Sequence, residues 1–238
     1  MRLWPPKLSG AGHEVKVANS RGPETINPEI VAGGVKPVEA VDVVTDIDVL
    51  IISVPLNRIP AMKPLIANLP TDAVIVDTSN YYPTRDGRVQ ALDEGQVESV
   101  WVTEQLGRPV VKAWNAILAG SFETKGKAQG DPDRLAIPVA ADRDVDKAAA
   151  MSLVEDTGFD AVDSGSLADS WRQQPGAPTY CTELTRQEIP DALAAAKKDL
   201  IPQRRDLATA TFTKKREAGA TVSADYLVRV NRATYIKP

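Results

Sequence analysis

The chain has 238 residues, 43% of them hydrophobic and 25% charged, with a formal net charge of −4; this gives one large globular domain, or a medium one with a helical appendage. No cationic excess exists to serve a general nucleic-acid or anionic-membrane surface. The single cysteine, Cys181, and the single histidine, His13, leave neither a disulfide framework nor a His/Cys zinc cluster. With no long apolar run, the expected location is cytoplasmic, without a membrane partner.

From the N-terminus, residues 7–11 read as the last turn of a helix that Gly12 stops. Gly10-Ala11-Gly12 does not read as a phosphate-binding turn, because it precedes a strand and the third glycine position holds Val15. Short β-branched runs then predict strands at 13–18, 48–54, 73–78, 110–114, 135–140 and 160–163. Helices are expected at 38–44, 58–68, 89–104 and 145–156, the last capped by Asp142 or Asp144 and ended before Gly158. Strand and helix in repetition imply a Rossmann-like, doubly wound parallel sheet with helices on both faces. The texture changes near residue 165. Residues 166–178 are rich in Ser, Gln, Pro and Gly, and 181–215 are mostly helix formers that Pro190 and Pro202 should divide. The chain thus divides into a sheet domain over 1–165 and a C-terminal helical segment over 166–238.

The most informative local word is Asn19-Ser20-Arg21-Gly22-Pro23, directly after the alternation of Val15 and Val17. In dinucleotide folds the end of this strand meets the adenosine ribose, where an acid selects NAD and a cation with hydroxyls accommodates the 2′-phosphate of NADP. No acid stands here and Arg21 does, a planar fork suited to phosphate, with the Ser20 hydroxyl beside it. Taken alone the word is more often a plain polar turn. Later strands also end in polar residues at the carboxyl edge, where open α/β sheets bind ligands: Val54-Pro55, Asp77 to Asn80, and Ala113-Trp114-Asn115. Each alone reads as a cap or turn, and together they mark one crevice.

A dinucleotide site usually opens with a strand, a G-x-G-x-x-G turn and a helix, about twenty residues in all. Met1 to Pro6 is too short and proline-broken to supply them. In the strand order 3-2-1-4-5-6 the first strand is central, so its loss leaves two neighbours without their hydrogen-bond partner. Such a start is expected from a truncated gene or a misplaced start codon.

The words KLSGAGHEVKVANSRGPET (7–25), SVP (53–55), VIVDTSNYYPTRDG (74–87), VVKAWNAI (110–117), IPVAADR (137–143) and SLADSWRQQPGAPTYCTELT (166–185) carry a resemblance to the deazaflavin (coenzyme F420)-dependent NADP reductase family, from Lys7 to about Leu193. The resemblance implies hydride transfer between C4 of NADPH and C5 of a deazaflavin. Ser20 and Arg21 would hold the 2′-phosphate, Val54 and Pro55 would flank the nicotinamide ribose, Ala113 and Asn115 would lie near the nicotinamide, and Asp77 to Asn80 would border the cleft floor. Such a transfer needs two rings held in contact and no general acid or base. The departure from the family is the absent glycine turn, which puts pyrophosphate binding in question.

Other residues have bland readings. His13 simply opens a strand, and Cys181 is a small buried hydrophobe without a redox partner. Trp171 and Tyr180, with Arg172 between, could line the acceptor site or pack their segment onto the sheet. The alanine-rich C-terminal helices could bury against a second copy, giving a homodimer. The expected partner is a small-molecule redox acceptor (coenzyme F420, a flavin or ferric iron). Two other readings compete: a non-catalytic relic of this fold, and a β-hydroxyacid dehydrogenase, which Lys112 serves poorly because it sits in a strand.

Overall fold

A computed structural model describes residues 4–236; of the opening word, Met1 to Leu3 lie outside the described residues. Among the described residues seven short strands pair in parallel: β1 (Lys16–Val17) with β2 (Lys36–Pro37), β4 (Val74–Asp77) with β3 (Val49–Ile52) on one side and β5 (Val111–Lys112) on the other, and β6 (Ala136–Val139) with β7 (Asp160–Asp163). The helices are α1 (Trp4–Gly10), α2 (Pro28–Ala32), α3 (Lys63–Ile66), α4 (Pro83–Asp86), α5 (Gln90–Asp93), α6 (Glu98–Leu106), α7 (Ala119–Thr124), α8 (Asp144–Asp156), α9 (Ile189–Ala194), α10 (Ile201–Glu217) and α11 (Ala224–Asn231). The architecture is the expected α/β sheet with helices on both faces.

Parallel strands covered on both sides read as continuous apolar runs, and Val74 to Val76 and the flanking Asp77 are all buried. Alternation sorts the side chains into two layers. Leu50, Ile52 and Ile75 join Leu56, Ile59, Ile66 and the α6 residues Trp101, Val102 and Leu106. Val74, Val76, Val111 and Ala113 join Ile137, Val139, Ala161 and the α8 residues Ala150 and Val154. Each fully buried aliphatic side chain contributes about 1.5–3 kcal/mol.

Helix α1 ends as its glycine dictates. Gly12 has φ 99°, its N–H bonds the Ser9 carbonyl at 3.0 Å, and the His13 N–H reaches back to Leu8 at 3.1 Å, a left-handed stop that satisfies two helix-end carbonyls. Pro190 and Pro202 fall in the first turns of α9 and α10, where a missing N–H matters least, so they begin helices and thereby separate them.

Several expectations are corrected: the helix expected at 58–68 opens as a 3-10 helix over Leu56–Met62 before α3, and the one expected at 89–104 is two helices, α5 and α6, parted at Gly95 with φ 96°. Residues 38–44 are turns, not a helix: Val44 is buried, but Val41 is 69% exposed, so no apolar face exists for a helix to bury. Asp142 does not cap α8; its carboxylate accepts the Leu167 N–H at 2.9 Å, and Arg143 occupies the cap position without a side-chain bond. β2, α2 and α7 were not foreseen, being two to six residues long.

Among the described residues no strand pairing joins β1 to β3. Val15, Val17, Ile26, Ile30 and Val35 form a small core of their own. The unit is fastened by Lys16 Nζ to the Thr45 carbonyl, 2.7 Å, and by His13 Nε2 to Asp156, 2.9 Å. Hydrogen exchange should therefore release the β1–β2 amides of Lys36 and Val38 at least roughly 100-fold sooner than those of Val74 and Val76. Equal protection would mean that the two sheets open as one. No helix among the described residues is long and apolar enough to cross a membrane.

Candidate functional site

At the end of β4 the apolar run stops at a charge, Asp77, with no solvent exposure; 35 positions on, Lys112 stands equally buried in β5. Their register places them side by side, and Lys112 Nζ lies 2.8 Å from Asp77 Oδ2. The ammonium also donates to the Ser79 carbonyl, and Asp77 Oδ1 accepts the Ser79 N–H at 2.9 Å. A buried pair offsets its desolvation only with such extra bonds. The turn after β4 is thereby fixed. Ser79 Oγ, buried beside it, has no hydrogen-bond partner among the described residues.

Next to the pair lies a network of amides. Asn115 Nδ2 donates to Asn80 Oδ1 (3.1 Å) and to the Gln173 carbonyl (2.8 Å), and Asn80 Nδ2 donates to the Asn115 carbonyl (3.0 Å). Gln173 Nε2 reaches Asn115 Oδ1 at 3.0 Å and the Lys112 and Pro138 carbonyls, while Ser164 donates to Gln173 Oε1 at 2.6 Å. Fully satisfied networks of this kind rigidify a core. Trp114, between Ala113 and Asn115, has φ 55°, a conformation costing a bulky residue about 1–3 kcal/mol unless its surroundings hold it.

The C-terminal segment closes over this edge. Tyr180 and Cys181 are buried against Ala116, with Ala208 and Tyr235 behind them. The Tyr82 and Tyr180 hydroxyls lie 2.8 Å apart. Burial pushes Cys181 and both tyrosines up from their ordinary values. Cys181 is thus the small buried side chain the sequence implied, and Tyr180 packs its segment. Trp171 stays half-buried under the Arg172 guanidinium, 4.4 Å from its ring centre.

Among the residues singled out from sequence, Asp77, Ala113 and Asn115 come together, all buried. Val54 is half-buried and Pro55 exposed at the neighbouring end of β3. Ser20 and Arg21 are exposed on the β1–β2 unit, and no hydrogen bond or ion pair among the described residues links them to the others. Their turn is braced: Asn19 Oδ1 accepts the Arg21 N–H at 2.7 Å, and Thr25 Oγ1 donates to the Gly22 carbonyl at 2.8 Å. The Arg21 guanidinium makes no hydrogen bond or ion pair among the described residues. Sequence reasoning missed the partners Lys112 and Gln173. A lysine inside an apolar strand was a usable signal, whereas Gln173 carried none.

The family model described as NADP oxidoreductase, coenzyme F420-dependent, matches residues 6–81, a narrower span than the motifs suggested. The Escherichia coli K12 protein YjhV is 39% identical over 105 residues, 44% of this chain and 74% of that protein. The crystal structure of SMa0349 from Sinorhizobium meliloti aligns with TM-score 0.63 at 26% identity, covering 76% of this chain and 88% of that one. A candidate F420-dependent NADP-reductase from Arthrobacter sp. FB24 aligns with TM-score 0.58 at 19% identity, covering 88% and 89%, a likeness of fold. The expected fold and resemblance are borne out, and the chain belongs to the coenzyme F420-dependent NADP oxidoreductase family.

Proposed function

We propose that the protein is an oxidoreductase that transfers a hydride between NADPH and a deazaflavin or related acceptor across the carboxyl edge of its sheet. The observation that carries this reading is the exposed, unpaired guanidinium of Arg21 on a braced turn, in a chain of this family. A 2′-phosphate fits such a group: it is an anion with several acceptor oxygens, and the fork and the Ser20 hydroxyl can donate to it. Bound NADPH would supply the hydride and a bound deazaflavin would take it.

The chain's own part is to bind and orient. Val54 and Pro55 offer a wall at the end of β3. Asp77, saturated by Lys112 and Ser79, acts through the turn it holds, and Ala113 and Asn115 form the rigid floor beneath. The buried network keeps water out of that floor. We place the acceptor and a dimer contact on residues 166–238.

Replacing Arg21 by Ala should weaken NADPH at least roughly tenfold and leave NADH nearly unchanged, because only NADPH carries the extra phosphate. Fluorescence titration with both dinucleotides reads this directly. Equal losses would defeat the 2′-phosphate assignment, and a wild-type dissociation constant in the millimolar range would favour a relic without cofactor.

A further inference from the structure

Glu98 opens α6 and is 2% exposed, an unusual place for a carboxyl in a helix whose next turns bury Trp101 and Val102. Its Oε2 accepts the Tyr81 N–H at 3.1 Å, and its own backbone N–H donates to Gln174 Oε1 at 3.3 Å. One residue therefore ties the turn after β4 to the C-terminal segment that closes over it. The charged and titratable groups facing it are Lys112 from β5, Arg205 from α10, and Tyr81 and Tyr82 from the turn itself. Arg205 also lies over the Tyr81 ring, 5.4 Å from its centre.

We propose that Glu98 is a positioning residue whose ionisation sets how firmly the 79–82 turn is held, so that dinucleotide binding at this edge varies with pH. With Glu98 ionised, the Tyr81 N–H bonds a full anion, which faces Lys112, itself paired with Asp77, and Arg205, itself paired with Asp206 at 2.8 Å. With Glu98 neutral, that bond weakens to an ordinary one. Burial is the main cause that raises the carboxyl from an ordinary 4.5 to about 7, against the pull of Lys112 and the Tyr81 N–H. Both forms are thus populated near neutral pH. The stability that the neutral form contributes is complete below the ordinary value and is lost as pH rises through about 7, while the hold on Tyr81 tightens over the same interval.

The dinucleotide half of this inference rests on the reading given under the proposed function; the turn half does not. In the ligand-free protein, the Tyr81 amide resonance and the Glu98 side-chain carboxyl carbon should titrate together with a midpoint near 7. In Glu98→Gln the Tyr81 resonance should be flat across that range. NADPH affinity should change at least roughly threefold more between pH 6 and 8 in the wild type than in the variant, which keeps only the titration of the 2′-phosphate itself, at about 6. A Tyr81 amide that does not titrate in the wild type, or that titrates equally in Glu98→Gln, overturns the proposal. The wild-type carboxyl resonance decides the matter even if the variant does not fold. A titrating Tyr81 in a protein that does not bind NADPH supports the hold on the turn and overturns the dinucleotide reading alone.

Discussion

Exchanging Lys112 for Met should destabilise the protein by about 3–5 kcal/mol at pH 7, because the substitution strands a carboxylate in a place without water. Asp77 and Lys112 are both wholly buried at 2.8 Å, so no solvent rearrangement can rescue the survivor, and the Ser79 carbonyl loses its donor as well. Met has nearly the same length, which removes cavity formation as a rival cause. The double variant Asp77→Asn with Lys112→Met should recover most of the loss, since a neutral amide can still accept the Ser79 N–H. Urea unfolding of the single and double variants measures both. A single-variant loss under about 1 kcal/mol would mean that the pair is worth no more than a surface one.

Gly176→Ala should be similarly damaging, about 3 kcal/mol or more. A Cβ there would meet the Ile201 carbonyl oxygen at 2.2 Å and the Arg205 nitrogen at 3.1 Å, both of them backbone atoms in the first turn of α10, and the residue has φ 105°. Strain from the backbone conformation and from the clash add, each about 1–3 kcal/mol. The cheapest relief is for α10 to lift away, taking Arg205 off Tyr81. Thermal unfolding combined with limited proteolysis within 197–223 should report a lowered midpoint and new cleavage in that stretch. An unchanged digest would show that the clash is absorbed elsewhere.

Much of the fold was legible because its central strands are short unbroken apolar runs. Runs such as Val49-Leu50-Ile51-Ile52 and Val74-Ile75-Val76 need no partner to be recognised, and β7 matches its expected bounds. β2 was not legible, since Lys36 and Pro37 have neither length nor strand preference. The false helix at 38–44 satisfied a three-residue spacing of valines, yet spacing predicts a helix only where a surface exists to receive it. Asp77 and Asn115, which the fold brings together, could be picked out by type and by position at strand ends, as could Ser20 and Arg21, whose role is a proposal. What they bond to could not, because Gln173 gathers groups from β5, from Asn115 just after it and from β6, and only the folded chain brings those together. Glu98 gave no warning either: it fell inside the helix expected at 89–104, whereas α6 begins with it.

The separation of β1–β2 from the main sheet has a thermodynamic corollary. A molecule long enough to touch Arg21 at one end and the Val54–Pro55 wall at the other would act as a staple between two pieces that share no strand pairing. Its measured affinity would be the intrinsic one reduced by the fraction of time the pieces stand in register, and anything that clamped them beforehand would sharpen binding without adding a single contact to the ligand.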